Sequence, residues 1–365
     1  MEQKQAYHIL LEGNNYEIGK QMGKMRAGFP GLILNEDAFS KQEESQVYKL
    51  FDEFCPGIKE EVQGFADVLK VPVNRVFYYA MSYLKPGCSQ MAVLPSKSSN
   101  GHVMMARNYD FSDKMEGMVL TTTRVKGRYA HISSAVAEFG RADGMNEYGL
   151  AVSQSSSGMP VGNFGCPKKP VITGLQFWAV IRSVLENCKD VDEVVKLSME
   201  MPIAFDINMI VADPKGNAAL IESFDGKKAI KRLDSRSKEQ FICSTNHIHL
   251  PELKQFSPLN MRNSVTRYEL INQTLGSKDK IYKEDLKKLL STKYPEGLCC
   301  HYYDDFFGNL RGMIFDITEG TVEVCFSSPA LNNWHIFKVD GEIKQQVYPV
   351  KMEREKSPAG FYDMI

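Results

Sequence analysis

The order of the periodic patterns constrains the fold of this chain more than any other feature of its sequence. Apolar residues recur three or four apart before residue 88, which predicts three helices: 16–29, 44–70 with a break at Pro56, and 73–84. At Cys88 the pattern changes to short β-type runs, and the first two flank the turn dipeptide Asn100-Gly101. The sequence therefore predicts a helical N-terminal region over 1–87 and a sheet that starts at Cys88.

The rest of the chain alternates between blocks of strands and blocks of helices, without the regular strand-helix-strand repeat of a parallel sheet. Further strands are predicted at 129–139, 148–156, 207–213, 218–224, 240–248 and 334–339, with a hairpin over 310–328. Further helices are predicted around a core Trp178, after an Asp190-Glu193 capping box, and over 263–275 and 282–290. This order indicates an α+β fold in which two mainly antiparallel sheets are covered by helices.

Composition restricts the partners of such a fold. The 365 residues are 43% hydrophobic and carry a formal net charge of -1, so neither nucleic acid nor an anionic membrane is an expected partner. No apolar run approaches the roughly 18 residues of a membrane span, and the first residues do not resemble a secretion signal. We therefore expect a cytoplasmic protein that acts on a small molecule without a cofactor. Its oligomeric state stays open, and a homo-oligomer is among the alternatives.

Cys88 stands out among the cysteines of the chain. The eight cysteines are scattered and include no CxxC pair, so most are expected to be buried thiols. Cys88 follows Pro86-Gly87 at the point where helix gives way to strand, and a glycine there permits close approach by another group. These residues alone leave two interpretations open, a catalytic nucleophile and a buried structural thiol.

A metal centre is the main rival to a cysteine nucleophile. Its candidate ligands are His247, His249, Cys299, Cys300 and His301. Their spacing matches no usual zinc pattern, and no papain-type signature surrounds any cysteine. The segment from Asp213 to Asn217 resembles part of a calcium loop, yet it lies between two predicted strands and is interpreted as a hairpin turn. We therefore predict no metal site.

Eight segments carry a resemblance to a known family, and together they span nearly the whole chain. They are LEGNNYEIGKQMG, EEVQGFADVLKVPVNRVF, GCS, ARNYDF, DGMNEYGLAVS, STNHI, SVTRY and GLCCHYYDDFFGNLRGMIFD. In these segments the chain resembles the acyl-coenzyme A:isopenicillin N acyltransferase family of cysteine peptidases and, more distantly, the choloylglycine hydrolases and penicillin V acylases. It departs from the acyltransferases at Ser89, where threonine is common. It departs from the bile-salt hydrolases in its long region before Cys88, so bile salts are not the expected substrates.

The resemblance implies an N-terminal nucleophile hydrolase fold, which is an αββα sandwich of four layers. It also implies that the protein cuts its own Gly87-Cys88 bond, giving an α fragment of residues 1–87 and a β fragment of residues 88–365 within one domain. The freed α-amine, with a pKa of about 8, can then take the thiol proton. One residue would thus supply both nucleophile and base.

Arg107 and Asp110, in the segment ARNYDF, match an arginine and an aspartate that follow the cysteine in these families. Their implied roles are to favour the thiolate and to hold the α-ammonium or the substrate amine, respectively. A surface ion pair on a hairpin is the structural alternative. Residues three apart on a regular strand face opposite sides, so both reach Cys88 only if a bulge or a strand end lies near Asn108-Tyr109.

Two asparagines and a second arginine complete the implied site. Asn146 and Asn246 match donors of hydrogen bonds near the substrate carbonyl, and an amide suits this role because it donates without a titrating charge. A simple turn is the alternative at Asn146. Arg267 matches the arginine that closes the hydrolase active site, and an exposed helical arginine is its alternative. Ser264 is expected to cap the helix or to support the site.

The predicted function is a self-processing amidohydrolase that cleaves a small N-acylated amine, amino acid or short peptide through an acyl group on Cys88. An N-acyltransferase that uses acyl-coenzyme A is the alternative within this chemistry. An unprocessed, non-catalytic ligand-binding protein is the alternative of another class. No role follows for Cys300 and His301, although they lie in a family-like segment.

Overall fold

A computed structural model describes residues 1–26, 41–80, 86–136, 140–158, 170–343 and 346–365. Its strands are β1 Glu2–Gly13, β2 Gly87–Val93, β3 Met104–Phe111, β4 Val119–Val125, β5 His131–Val136, β6 Gly140–Asn146, β7 Ala151–Ser156, β8 Ile207–Ala212, β9 Ala218–Phe224, β10 Lys227–Leu233, β11 Phe241–Ser244, β12 His301–Tyr302, β13 Phe307–Asp316, β14 Thr321–Phe326, β15 Trp334–Phe337 and β16 Val347–Met352. Its helices are α1 Asn15–Arg26, α2 Lys41–Phe54, α3 Ile58–Leu69, α4 Val73–Ala80, α5 Phe177–Asn187, α6 Val191–Glu200, α7 Pro251–Lys254, α8 Arg262–Gly276 and α9 Lys283–Ser291. Parts of three predicted elements, residues 27–29, 81–84 and 137–139, lie outside the described residues.

The strands form two sheets. Among the described residues, a nine-stranded sheet has the order β10-β9-β8-β7-β6-β5-β4-β1-β16. A seven-stranded sheet has the order β11-β2-β3-β13-β14-β15, with β12 paired to β13. Every named pair is antiparallel except β1 with β4. The prediction of two mainly antiparallel sheets is confirmed.

Each sheet packs one face against the other sheet and its opposite face against helices. Strands β2 and β11 contact β7, β8 and β9 across the interface between the sheets, α5 and α6 cover the nine-stranded sheet, and α8 and α9 cover the seven-stranded one. Because both faces of β2 and β3 are covered, every residue of these two strands is buried. The arrangement is the predicted four-layer αββα sandwich, and it places the start of β2 inside the molecule.

The prediction of a wholly helical N-terminal region is wrong at its start, because residues 2–13 form strand β1. This strand lies between β4 and β16, whose residues are distant from it in the sequence. Buried and partly exposed positions do not alternate strictly along β1, so its local pattern does not reveal a strand. The helices expected after it are present, and α2 and α3 are separated at the predicted break, where Gly57 has a φ of 90°.

Of two other sequence expectations on local structure, one is met and the second is met in part. Trp178 is buried in the core with its helix α5. The carboxylate of Asp190 accepts from the backbone N–H of Glu193 at 3.1 Å and caps α6, whereas the Glu193 carboxylate accepts from Lys189 N at 2.8 Å instead of completing the capping box. Within the described ranges, no helix is both long enough and apolar enough to span a membrane.

Candidate active site

Cys88 is the second residue of β2 and is fully buried. Its Sγ accepts from Arg107 Nη2 at 3.1 Å. Its backbone N–H donates to Asn246 Oδ1 at 3.1 Å, and its carbonyl oxygen accepts from Arg267 Nη1 at 2.7 Å. Three side chains that were predicted from the sequence therefore converge on the thiol and the backbone of this one residue.

Burial dominates the acid-base behaviour of the Cys88 thiol. It raises the pKa of the thiol to about 11, and the positive charge of Arg107 opposes this rise. In the intact chain at neutral pH the thiol is therefore mostly protonated. A thiol in this state becomes a strong nucleophile only when a base removes its proton.

Arg107 is held in place by a carboxylate of the facing sheet. Its Nη1 lies 2.8 Å from Asp143 Oδ2 and donates to the carbonyl oxygen of Ala142 at 3.0 Å, and both residues belong to β6. Arg107 and Asp143 are fully buried, so the alternative of a surface ion pair at Arg107 is wrong. Sequence reasoning did not single out Asp143, although it lies in the family-like segment DGMNEYGLAVS. The ion pair couples the two sheets directly behind the thiol.

Asp110 lies beside Gly87, its register partner across β2 and β3. Its Oδ1 accepts from Asn309 Nδ2 at 2.6 Å, while its buried Oδ2 has no hydrogen-bond partner in the described structure. Burial raises the pKa of this carboxyl to about 7, against the opposing charges of Arg267 and Arg107. Asp110 is thus a buried carboxyl group that titrates near neutral pH next to the Gly87-Cys88 bond.

The alternation of β3 explains how two residues three apart serve one site. Pairing between β2 and β3 is regular, and the irregularity lies in the next strand, β13, between Asn309 and Arg311. Arg107 therefore reaches the thiol on one face of the strand, while Asp110, one residue from the strand end, borders Gly87. Strand β3 thus runs through Asn108 and Tyr109 without a bulge and ends at Phe111, and the irregularity is in the neighbouring strand β13.

Arg267 connects helix α8 to both Cys88 and Asn246. Its Nη2 donates at 2.9 Å to Asn246 Oδ1, the same oxygen that accepts from Cys88 N. The guanidinium is fixed from its own helix, since Nη2 also donates to Asn263 Oδ1 at 2.8 Å and Nε donates to Asn263 O at 3.2 Å. Arg267 is fully buried, so the alternative of an exposed helical arginine is wrong.

Two serines complete the surroundings of Asn246. The backbone N–H of Asn246 donates to Ser264 Oγ at 2.8 Å, so Ser264 supports the site, and the N-cap of α8 is Met261. Asn246 Nδ2 donates to Ser156 O at 2.9 Å and to Pro86 O at 3.4 Å, and Ser156 Oγ also donates to Pro86 O. Sequence reasoning missed Ser156. The sequence feature that could have indicated Ser156 is a run of polar residues on a strand with buried neighbours, because buried polar side chains require internal hydrogen-bond partners.

Asn146 is the predicted site residue that the structure places elsewhere. Its Nδ2 donates to Leu185 O at 3.0 Å and Cys188 O at 2.7 Å, and its Oδ1 accepts from Tyr148 N at 3.1 Å and Leu150 N at 3.2 Å. Both amide hydrogens and the amide oxygen are therefore occupied in holding the turn after β6 against the end of α5. The expectation that Asn146 donates to the substrate carbonyl is corrected, and the alternative of a turn describes it.

Gly87 is confined by an aromatic ring. A Cβ atom at this position would lie 2.4 Å from Cε2 and from Cζ of Phe307, and 3.0 Å from Cδ2. Real Cβ atoms do not approach other carbon atoms this closely, because packed interiors leave no room for such overlap. Glycine is therefore required before Cys88 for a steric reason.

The metal ligands considered from the sequence do not form one group. His249 Nδ1 lies 2.9 Å from Glu222 Oε1, and His247 Nδ1 lies 2.8 Å from Ser264 Oγ. The two histidines therefore bind different partners within the protein, and His247 contacts a residue that supports Asn246.

His301 belongs to a separate polar group. In the part of the chain that the structure describes, the ligand atoms of His301, Glu353 and Glu355 form one set that lies within 4.8 Å. The ammonium group of Lys293 lies 2.9 Å from Glu353 and 2.5 Å from Glu355, so both carboxylates already share a positive partner within the protein.

Comparison with known proteins identifies the family. Residues 96–331 match the family model described as acyl-coenzyme A:6-aminopenicillanic acid acyl-transferase, over more than half of the chain. The chain belongs to this acyl-transferase family. The family match begins after Cys88, so it includes Arg107, Asp110, Asn246 and Arg267 but not the Gly87-Cys88 bond.

Two solved structures are similar to this member of the acyl-transferase family. Penicillin V acylase from Agrobacterium tumefaciens is 18% identical with a TM-score of 0.45, and the match covers 69% of this chain and 86% of that one. A mutant conjugated bile acid hydrolase from Clostridium perfringens is 14% identical with a TM-score of 0.42, and the match covers 74% of this chain and 98% of that one. No curated protein matches the sequence.

Proposed function

We propose that this member of the acyl-transferase family is a self-processing cysteine amidohydrolase whose substrate is a small N-acylated amine, amino acid or short peptide. The observation that carries the proposal is the convergence of Arg107, Asn246 and Arg267 on Cys88, a buried thiol that directly follows a confined glycine. Donors fixed around a nucleophile and its backbone are what acyl transfer requires, since the transition state develops negative charge on an oxygen.

The first step in the proposal is the cleavage of the chain itself. Cys88 Sγ bonds to the carbonyl carbon of Gly87, the bond from that carbon to Cys88 N breaks, and the thiol proton ends on the nitrogen. Water then hydrolyses the thioester, leaving the Gly87 carboxylate and a Cys88 with a free amine and a free thiol. We assign the proton transfer to Asp110, because its carboxyl lies beside Gly87, has one oxygen without a partner and has a pKa of about 7.

The second step is turnover of the substrate amide. The α-amine of Cys88 takes the thiol proton, Sγ adds to the acyl carbon, and the carbonyl oxygen takes the electron pair. We assign this oxygen to Asn246 Nδ2, which must then exchange its long 3.4 Å contact with Pro86 O for the oxyanion. Collapse of this intermediate breaks the C–N bond, and the α-ammonium gives its proton to the leaving amine. Water releases the acid from the thioester and regenerates the thiol. The free α-amine can serve as this base only after processing, because in the intact chain its nitrogen is part of the Gly87-Cys88 amide.

Intact-mass spectrometry of freshly expressed protein tests the proposal. We expect two fragments, 1–87 and 88–365, and a single chain for Cys88→Ala. Cys243→Ala is the matched control because Cys243 is a buried thiol on the neighbouring strand β11, and we expect it to process normally. A wild-type chain that stays intact on long incubation would refute self-processing and favour an unprocessed ligand-binding protein.

An acyltransferase that uses acyl-coenzyme A is the second candidate, and the description of the matching family is the observation that favours it. The two candidates differ in what takes the acyl group from Cys88, water in one case and an amine in the other. Supplying the processed protein with an acyl-coenzyme A and an amine acceptor separates them. A new amide identifies the acyltransferase, whereas free acid from an N-acylated amine, with no amide formed, identifies the hydrolase.

A further inference from the structure

We infer that Phe307 excludes acyl groups with an L-configured substituent on the carbon next to the carbonyl, with N-acylglycyl groups as the class that fits this site. The inference rests on the proposed function, because it uses the Gly87-Cys88 bond as an internal substrate. The family assignment does not specify an acyl group for this chain, whereas the side chains around Gly87 limit which acyl groups fit.

The surroundings of Gly87 indicate which acyl groups fit the site, because the Cys88 thiol attacks both the Gly87-Cys88 bond and the substrate amide. In self-cleavage the carbon attacked by Cys88 Sγ is the carbonyl carbon of Gly87, and in turnover it is the acyl carbon of the substrate. We place the substrate acyl group along the path that residues 86 and 87 take in the intact chain, because the same Sγ attacks both carbons. This puts the substrate carbon next to the carbonyl near the position of the Gly87 Cα.

At that position there is no room for a substituent with the L configuration. The Cβ of an L residue would meet Cε2 and Cζ of Phe307 at 2.4 Å. An acyl donor with a methyl group on this carbon, such as an L-alanyl donor, would make the same overlap. A glycyl donor, which carries only hydrogen there, would not.

The ring of Phe307 is not free to move aside. Phe307 is fully buried, its ring centroid lies 5.0 Å from that of Phe361 in an edge-on contact, and the Arg267 guanidinium stacks 4.9 Å from the ring centroid. Arg267 is itself fixed by its contacts with Cys88 and Asn263. A shift of the ring would therefore disturb the group that holds the nucleophile.

The next carbonyl along the chain explains the preference for an N-acylated glycyl group. Pro86 O accepts from Ser156 Oγ in the intact chain, and a longer contact of 3.4 Å joins it to Asn246 Nδ2. In an N-acylglycyl substrate, the carbonyl of the N-acyl group occupies the same place in the covalent sequence as Pro86 O. The hydroxyl of Ser156 can then donate a hydrogen bond to this carbonyl. A plain hydrocarbon acyl chain has no acceptor for that hydrogen bond.

A pair of chromogenic donors tests the inference on the processed protein. We expect acetylglycyl p-nitroanilide to be cleaved with a kcat/KM about 10- to 100-fold higher than acetyl-L-alanyl p-nitroanilide, because the added methyl overpacks the site. Phe307→Leu removes both atoms at 2.4 Å and should bring the two values within about threefold. Phe315→Leu, in the same strand β13 and equally buried, is the control that should keep the wild-type ratio.

A second measurement uses the chain itself. Gly87→Ala should slow self-cleavage by about 10- to 100-fold, and adding Phe307→Leu should restore it, whereas adding Phe315→Leu should not. Equal turnover of the two donors by processed wild-type protein, or a failure of Phe307→Leu to rescue Gly87→Ala while it processes normally alone, would overturn the inference and leave the proposed function standing. A wild-type protein that neither cuts itself nor cleaves any amide donor would overturn both.

Discussion

Arg267 Nη1 donates to the carbonyl oxygen of Cys88 at 2.7 Å, so a side chain of helix α8 holds the backbone of the candidate nucleophile. The second terminal nitrogen of the same guanidinium binds Asn246 Oδ1 at 2.9 Å. The planar fork fixes the distance between its two partners, because its nitrogens cannot move independently. The positions of the nucleophile and of the candidate oxyanion donor are therefore coupled through one residue.

Arg267→Lys should slow self-cleavage by about 100-fold, because a single ammonium group cannot hold Cys88 and Asn246 in the same geometry. A time course of fragment formation on denaturing gels measures this rate. Arg262→Lys is the matched control, since Arg262 lies on the same helix and forms only a half-exposed ion pair with Asp363. Wild-type rates in both variants would contradict a positioning role for Arg267.

Asp143→Ala should lower the free energy of unfolding by about 3–5 kcal/mol, because it leaves the buried charge of Arg107 without its partner. Urea unfolding of the uncut Cys88→Ala chain measures the change without interference from processing. Asp52→Ala, which breaks the exposed pair with Lys59, should change it by less than about 1 kcal/mol. Similar losses of unfolding free energy in the two variants would show that the buried Arg107-Asp143 pair stabilises the fold no more than an exposed ion pair does.

Asp110 should make stability depend on pH. Its pKa is raised from 3.8 to about 7 in the folded protein, so the folded state holds this proton more tightly than the unfolded state does. The resulting stability is fully present below about pH 4 and is lost as pH rises toward 7, with a slope that approaches about 1.4 kcal/mol per pH unit.

Asp110→Asn, also in the Cys88→Ala background, should remove this slope, because an amide does not titrate. Comparing the urea midpoints of the two chains at several pH values between 4 and 7 measures it. We expect Asp110→Asn to gain stability relative to its parent as pH rises through this window. A constant difference between the chains across the window would mean that Asp110 has an ordinary pKa.

The two fragments should stay together after cleavage. Strand β1, in the α fragment, pairs with β4 and β16, which both belong to the β fragment. A strand with partners on both sides loses its backbone hydrogen bonds when it leaves, so separation is costly. An affinity tag on either fragment should retain the other in buffer and release it in about 6 M guanidinium chloride. Loss of the 1–87 fragment during purification would contradict this expectation.

Local pattern predicts most of the fold of this chain. The switch from helical periodicity to strands at Cys88, the hairpin after it, and the helices α8 and α9 each follow from spacings within one segment. Strand β1 could not be predicted from its local pattern, because its partners β4 and β16 come from distant segments and only the assembled sheet supplies them. The sequence also indicated Cys88, Arg107, Asp110, Asn246 and Arg267 as candidates, through their residue types and their places in family-like segments.

Only the tertiary structure decided which candidates meet. Asn146 and Asn246 are equal as amides in the sequence, yet the turn after β6 uses all the hydrogen bonds of the first and the fold brings the second to Cys88. The roles of Asp143 and Phe307 also appeared only in the tertiary structure. Asp143 of β6 contacts Arg107 of β3, and Phe307 of β13 confines Gly87 of β2, and both pairs join residues that are far apart in the chain. A hydrogen bond or an overlap depends on separations of a few ångströms, which the packing of sheets and helices sets and the sequence alone does not reveal.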